Sequence, residues 1–557
     1  MMARIKLIKK NWPLICIIGL ALFLRFWGLN YGLPYFLIDD ERTLVYGALK
    51  MGELKTLIPA LHAEEFKILY YAPLMSYIYL FFITPFVLIQ YFTGHFANLA
   101  EIANYFVIDP GPIWLIARAI NALIGAASVF LLFLIGKKAF NNWVGLISAA
   151  FLTTSFLHIQ FSHFTRLWGP SLFIVLLVMF LSLCIWKSPK IKYYLWMGIV
   201  GGLGFGTNYI LPVTLFIFLM AHFATGKNSI LNKLKDRKLW LTIVVFVLLA
   251  GIFTMIFPQL FVGWTGLGRL EGALAANRSF SQFLFVSFAY MKALLFYEPL
   301  VLIFSLFGSA FFYFKSKGLA LVFLTWPVFW LLITYFILHG GYIGGNPHLH
   351  YILVIIPWLI LPASYAVYQL AAKLPPVLRI ILLILVFAYP AAASFQYVNL
   401  LNQKDTRILA KEWVEENIPQ GSRIVSNWNY INPIPTKESI LLQEELDEDS
   451  VRALDKALLK TESSEYPQPS YNLLKLAYID KEKWVIPHDY QYFLVFFWKE
   501  ENLLPEEKKI IERGRLIAEF KQSDAGNPEN INAGLYISVS TIFSWDRLGP
   551  IVRIYEL

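Results

Sequence analysis

Three consecutive acids, Asp39, Asp40 and Glu41, follow the apolar run PYFLI and open the stretch RTLVYGALK. Next to an apolar surface, desolvation and mutual repulsion would raise at least one of their pKa values. A carboxylate so placed suits a general base acting on a hydroxyl. On a helix, neighbouring residues point about 100° apart, so only one or two of the three share a pocket. Asp40 is the candidate base, with Glu41 or Asp39 as its partner. A merely solvated, acid-rich loop explains the same residues equally well at this point.

Stabilising a departing phosphate asks for cations or hydrogen-bond donors. The candidates are Arg166 with His163, Arg269, Arg278, and the histidines His339, His348 and His350 of HGGYIGGNPHLHY. Arginine suits bidentate phosphate contact, and histidine donates one hydrogen bond or binds a metal. Arg166 reads equally well as a side chain reaching for a lipid headgroup, and Arg269 and Arg278 more simply as surface residues. Arg25 reads as an interface anchor. His348 and His350 share a face if extended, and with Asp40 they could hold a divalent cation. Nothing asks for another cofactor, since no Walker pattern occurs and no GxGxxG follows a strand. Cys16 and Cys184 lie in apolar runs, which leaves neither a disulfide framework nor a CxxC site.

The elements that position these residues are set by an apolar composition. Of 557 residues, 58% are hydrophobic and only 15% charged, with a mean hydropathy of +0.58, far from the usual soluble domain. Residues 402–557 carry 19 Lys/Arg against 26 Asp/Glu, a net charge of −7 that leaves +17 for residues 1–401. The first part is a basic membrane domain and the second an acidic globular one. The lysines cluster in turns between apolar runs, which points to a membrane face and away from nucleic acid.

Residues 12–29 form an apolar segment behind Arg4, Lys6, Lys9 and Lys10, and Arg25, Phe26 and Trp27 replace the small residues of a cleavage site. A retained signal anchor with a cytoplasmic N-terminus follows. Ten more apolar stretches fall at 112–136, 143–161, 167–186, 193–209, 210–225, 239–257, 299–314, 319–338, 351–371 and 376–397, giving about eleven spans. Alternate turns carry Lys137 and Lys138, Lys187 to Lys192, Lys227 to Lys238, Lys315 and Lys317, then Lys373 and Arg379. The positive-inside rule puts all of these in the cytoplasm and the acidic C-terminal domain outside. Counting 69–92 as a crossing would invert every later turn, so that stretch is expected to be an interfacial or re-entrant helix after an acidic outer loop at 30–68. The loop 258–283 is expected to be a lid.

The stretch LRFWGLNYGLPYFLIDDERTLVYGALKMGELKTLIP resembles the start of the GT-C superfamily of polyprenyl-phosphate-sugar-dependent glycosyltransferases, in particular its protein O-mannosyltransferase and aminoarabinose-transferase branch. Asp40-Glu41, Tyr71-Ala72-Pro73-Leu74 and Arg118-Ala119-Ile120-Asn121-Ala122-Leu123-Ile124-Gly125 fill the family's motif positions in order. The likeness continues through 134–166 and returns at DTRILAKEWVEENIPQGSRI, 405–424. Three positions depart from the pattern: no acid follows Arg166, and Asn208-Tyr209 and His350-Tyr351 stand where the family has Lys-Tyr and Arg-Tyr.

The resemblance implies a mainly α, polytopic helix bundle with juxtamembrane helices in the first outer loop. It implies transfer of a sugar, with inversion, from a polyprenyl-phosphate donor to a protein, glycolipid or glycan acceptor outside the cytoplasm, with Asp40 as base. The rivals are a transporter or flippase of a lipid-linked sugar, which would favour mid-membrane acids and internal repeats, and a catalytically silent lipid-binding scaffold. Residues 402–557 are expected to form a small α/β domain. Its expected elements are a helix at 405–418 with Ile408, Leu409, Trp413 and Val414 inward, strands at 422–427, 492–498 and 534–543, and a solvated helix or turn at 444–449.

Overall fold

The computed structural model describes residues 2–35, 37–38, 40–94, 96, 99–226, 229–260, 279–315, 326–335, 342–343, 346–428, 431–480, 484, 489–523, 539 and 541–557. The chain is mainly helical and divides into two compact units. One comprises Met1–Leu29, Asp40–Ile83 and Ile116–Phe395, and the other Asn30–Asp39, Thr84–Leu115 and Gln396–Leu557.

In the first unit the helices are α1 (Met2–Phe26), α2 (Glu41–Glu53), the start of α3 (Leu74–Phe92), most of α5 (Gly111–Ala139), α6 (Asn142–Thr153), α7 (Phe156–Ser162), α8 (Trp168–Lys187), α9 (Ile191–Thr207), α10 (Leu215–Ala224), α11 (Ile230–Leu234) and α12 (Arg237–Ile256). They continue with α13 (Phe280–Tyr297), α14 (Pro299–Lys315), α15 (Trp326–Tyr335), α16 (Ile356–Lys373) and α17 (Pro376–Leu400). The chain is a multi-pass membrane protein. Among the described residues, α3, α5, α8, α12, α13 and α17 are each long and apolar enough to cross a bilayer, and α6 with α7 makes a seventh candidate bent by 62°. Two of these, α3 and α13, fall outside the eleven stretches read from charge. The C-terminal half of α3 and α4 (Leu99–Ile108) belong to the same compact unit as the C-terminal domain.

Helix is forced on apolar runs in lipid because the backbone has no other partner there. What remains is packing without a hydrophobic driving force, and small residues supply it. Along α9, Gly198, Gly202 and Gly206 recur every fourth residue. A Cβ on Gly198 would lie 2.7 Å from the Thr242 carbonyl, one on Gly202 would strike Leu249, and one on Gly206 would meet the Phe253 ring. The stripe lets α9 and α12 approach closely.

The second unit carries a six-stranded sheet with β1 (Arg423–Ser426), β2 (Ile434–Pro435), β3 (Ser470–Lys475), β4 (Tyr492–Phe497), β5 (Arg515–Phe520) and β6 (Ile551–Glu556) in the order β2-β3-β1-β4-β6-β5. The first four strands are parallel, and β6 runs antiparallel to β4 and β5. Alternating side chains fill both faces. Ile424, Leu473, Leu494 and Ile554 pack on one side with Ala410 and Val414 of α18 (Thr406–Asn417) and with Ile418 just after it, and Val425, Leu474, Phe493 and Val495 on the other. This two-sided burial is why YFLVFF reads as an unbroken apolar run.

In α18 the inward face is Arg407, Ala410, Lys411 and Val414, while Ile408, Leu409 and Trp413 are half-buried. The expected face is rotated because Asp405, which caps α18 at the Arg407 amide, also binds the Arg407 guanidinium through both oxygens at 2.7 and 2.8 Å and accepts from the Tyr31 hydroxyl. Gly549, at φ 117°, packs on this knot where a Cβ would collide with Thr406. The acidic stretch at 444–449 is helix and turn as expected. The expected strand at 534–543 lies mostly outside the described residues, and Ile551–Glu556 supplies the last strand instead.

Gly202→Leu is expected to push α9 from α12 and cost about 1–3 kcal/mol, read as a lower unfolding temperature of the purified protein. Gly251→Leu, with nothing within 4 Å of its Cβ position, should leave it unchanged.

Candidate functional site

Asp40 sits immediately before α2 with φ 63°, a left-handed conformation uncommon outside glycine and asparagine or aspartate. Its carboxylate does not cap the helix. Oδ1 accepts from the Tyr70 hydroxyl at 2.6 Å, and Oδ2 accepts from Tyr71 at 3.1 Å and from the Arg166 guanidinium at 2.8 Å. The side chain keeps 33% of its surface exposed, whereas that of Arg166 keeps 6%. Burial pushes the Asp40 pKa up, but the Arg166 charge and the hydrogen bonds from Tyr70, Tyr71 and Arg166 outweigh it, and the carboxyl ends below its usual range. The rise expected for at least one of the three acids is not found at Asp40, whose close charged neighbour among the described residues is an arginine.

Glu41 faces the other way. It is fully buried and takes a bidentate bond from Arg118, Nε to Oε1 at 2.6 Å and Nη2 to Oε2 at 2.8 Å. Arg118 Nη1 also donates to the Leu29 carbonyl at 2.6 Å. The Thr165 hydroxyl donates to the Glu41 carbonyl at 2.7 Å, and the Thr165 amide to Oε1 at 3.3 Å. Glu41 thus holds α2 to α5 and to the 163–167 turn rather than sharing a pocket with Asp40.

The family-like motif of α5 works along one helix face. Arg118 holds Glu41. Asn121, one turn on, accepts from Tyr79 at 2.8 Å and donates to the Phe164 carbonyl at 2.6 Å and the Arg166 carbonyl at 3.2 Å. At Gly125 a Cβ would come within 2.5 Å of the Ser162 hydroxyl. Positions i, i+3 and i+7 therefore grip the turn that carries Arg166.

His163 is buried with Nδ1 at 2.9 Å from the Ile159 carbonyl and Nε2 at 3.1 Å from the Trp27 carbonyl. A neutral imidazole carries one N–H, so the ring donates to one of these two carbonyls at a time and is held against the backbone of α7 and of residue 27. His350 is buried and stacks on Trp168 with centroids 4.4 Å apart, and the His348 ring lies 5.0 Å from that of His350. Trp168 is two residues from Arg166, so this aromatic wall adjoins the same turn. Asp39, Arg269, Arg278 and His339 lie outside the described residues, as does most of the expected lid at 258–283.

Among the described residues no three His, Cys, Asp or Glu side chains converge as metal ligands. The combination of Asp40, His348 and His350 is not formed, and a guanidinium on Asp40 Oδ2 opposes a second cation there. The residues present do not fit a metal. Sequence reading also missed Tyr70 and Tyr71 as partners of Asp40, because tyrosines in an apolar stretch equally mark the headgroup level. Arg25 is corrected from an interface anchor to a wholly buried side chain.

Residues 113–256 match the family model described as dolichyl-phosphate-mannose-protein mannosyltransferase. No curated protein matches the chain. Similar solved structures include an oligosaccharyltransferase of Archaeoglobus fulgidus tethered with an acceptor peptide, at 14% identity and TM-score 0.45 over 76% of this chain and 62% of that one. This chain thus spans less than two thirds of that protein's length. Others are AglB of the same organism in complex with an inhibitory peptide and a dolichol-phosphate (12% identity, TM-score 0.48, 88% and 70% covered), and ArnT of Cupriavidus metallidurans bound to undecaprenyl phosphate (12%, 0.43, 72% and 72%). The family-model match covers the Arg118–Gly125 motif and Arg166, and the chain is similar to the polyprenyl-phosphate-dependent glycosyltransferases of the GT-C superfamily.

Arg118→Ala leaves a buried carboxylate unpaired and is expected to cost about 3–5 kcal/mol, seen as loss of monodisperse protein on size-exclusion chromatography. Because the Asp40 pKa is depressed, its charge is complete above the usual aspartate value and is lost only as pH falls through the lower folded value. The kcat/KM of the free enzyme should therefore show no acid limb from Asp40 between about pH 5 and 7. An acid limb near pH 6 that vanishes in Asp40→Asn would contradict this.

Proposed function

We propose that this chain is an integral-membrane glycosyltransferase that moves a sugar from a polyprenyl-phosphate donor to an extracytoplasmic protein, glycolipid or glycan. The observation that carries the reading is the Asp40–Arg166 pair, one-third open on the acid side and flanked by Tyr70 and Tyr71. The match to a family described by a dolichyl-phosphate-mannose donor supports it. The lysine-bearing turns support a cytoplasmic N-terminus and an outer C-terminal domain.

In the proposed reaction the acceptor oxygen attacks the anomeric carbon from the face opposite the phosphate. The carbon–oxygen bond to the phosphate breaks, its electron pair leaves with the phosphate, and the acceptor proton passes to Asp40. The configuration inverts. Arg166 meets the phosphate as charge grows on it, with His348 and His350 on the neighbouring wall as further donors. Donor phosphate competes with Asp40 for the same guanidinium. Binding the donor then strips Asp40 of its strongest neighbour, raises its proton affinity and readies it as a base only when there is a sugar to transfer.

The donor is to be identified by mass spectrometry of lipid that copurifies with the protein, and transfer followed in liposomes with that lipid. Asp40→Asn is expected to lower turnover by about 10²-fold or more. It should bind undecaprenyl phosphate at least as tightly as wild type, because Arg166 is released. Unchanged turnover would dismiss Asp40 as base, and phosphate binding with no transfer by the wild type would favour a silent scaffold.

A further inference from the structure

At the break between α6 and α7 the axis turns by 62°, and each helix end there meets a buried charge from elsewhere in the chain. Arg25 donates through Nη2 to the Leu152 carbonyl at 2.9 Å, lies 3.5 Å from the Thr153 carbonyl, and also donates to Ala21 O and to His158 Nδ1. Glu298, between α13 and α14, accepts the Ser155 hydroxyl at 2.6 Å and the Leu157 amide at 3.0 Å. The Ser394 hydroxyl donates to the Thr154 carbonyl at 3.2 Å. A cation thus stands at the carbonyl end of α6 and a carboxylate at the amide end of α7, the pairing that helix dipoles favour. Both side chains are buried, Arg25 completely and Glu298 to 5% exposure. Charges so far from water persist only with such partners.

The break leads straight into the reaction centre. Helix α7 is seven residues long, and the turn after it carries His163 on the Trp27 carbonyl, Thr165 on Glu41 and Arg166 on Asp40. Gly125 leaves room for both ends of this assembly, since a Cβ there would lie 3.1 Å from the Arg25 side chain as well as against Ser162. Among the described residues, Glu298 and Ser155 hold the first turn of α7 at the break.

We propose that Glu298 and Arg25 are positioning residues, a carboxyl group and a guanidinium whose hydrogen bonds clamp the bend so that Arg166 is delivered to Asp40. The inference rests on the reading of Asp40 and Arg166 as the reaction centre, but the clamp itself is testable without turnover. Hydrogen exchange of the full-length protein in nanodiscs is compared for wild type and Glu298→Ala, with Glu298→Gln in its place if the alanine variant does not fold. Exchange in 155–166 should quicken about tenfold or more, while 423–426 and 492–497 stay as in wild type. Unchanged protection of 155–166 overturns the proposal. Where transfer is measured, Glu298→Ala should lower kcat/KM about tenfold in wild type and by less than about twofold in an Arg166→Ala background. Equal losses in both backgrounds also overturn it. A wild type without transfer would refute the glycosyltransferase reading alone, since the exchange result still decides the clamp.

Discussion

The bidentate pair of Glu41 and Arg118 fixes everything around it. Both side chains are wholly removed from water, and ions in that state are held only by near-ideal geometry and by donors for the remaining lone pairs. Leu29, Thr165 and the fork of Arg118 supply them. The pair leaves α2 no freedom to rotate against α5. With Glu41 locked inward as the first residue of α2, the residue before it must leave the helix, and Asp40 does so in a left-handed conformation aimed at Tyr70, Tyr71 and Arg166. Two adjacent acids thus acquire opposite roles from one constraint. The strain of the first is tolerated because the burial of the second over-determines it.

The same economy of charge governs the rest of the membrane domain. Eleven carboxylates in residues 1–401 are few, and among those described Asp40 and Glu41 partner arginines while Asp109, Asp236 and Glu298 accept from amides at helix starts. Arg118, Arg166 and Arg25 take the complementary places. Low dielectric makes each unpaired charge costly and each paired one directional, so the network holds a turn, not merely a set of contacts. Of Asp40, Glu41 and Glu298, only Asp40 retains substantial access to solvent.

The mainly helical class, the apolar segments and the C-terminal α/β domain were legible because each has a local signature. Continuous apolar runs mark helices in lipid, and doubly buried strands such as 492–497 read as unbroken apolar stretches. Asp40 stood out because three consecutive acids interrupt a membrane domain that is otherwise poor in them. The use of its neighbours was not. Nothing local tells a tyrosine at the headgroup level from Tyr70 on a carboxylate, or an arginine at a span end from Arg25 beneath a helix terminus, because both answers depend on contacts distant in sequence, 30 residues for Tyr70 with Asp40 and 127 for Arg25 with Leu152. The inward face of α18 failed for a related reason: a buried Asp405–Arg407 pair turned a polar position into the core.

Rigid fastening and chemical readiness pull against each other at this site. If every acid were paired as completely as Glu41, the turn would be firmly placed and Asp40 would have no reason to accept a proton. If Arg166 were free, Asp40 would be the stronger base but the cation would have no fixed position when a phosphate arrived. The arrangement separates the two demands. Backbone carbonyls of the 163–166 turn are gripped by Asn121 and its amide by Glu41, so the guanidinium of Arg166 can exchange one anion for another without the turn moving. In the proposed reaction, exchange of Asp40 for a phosphate would trade one charge-assisted hydrogen bond for another and so ask for little net energy. On that reading it would still change the protonation chemistry of Asp40, and the order of events would be a property of the pair itself.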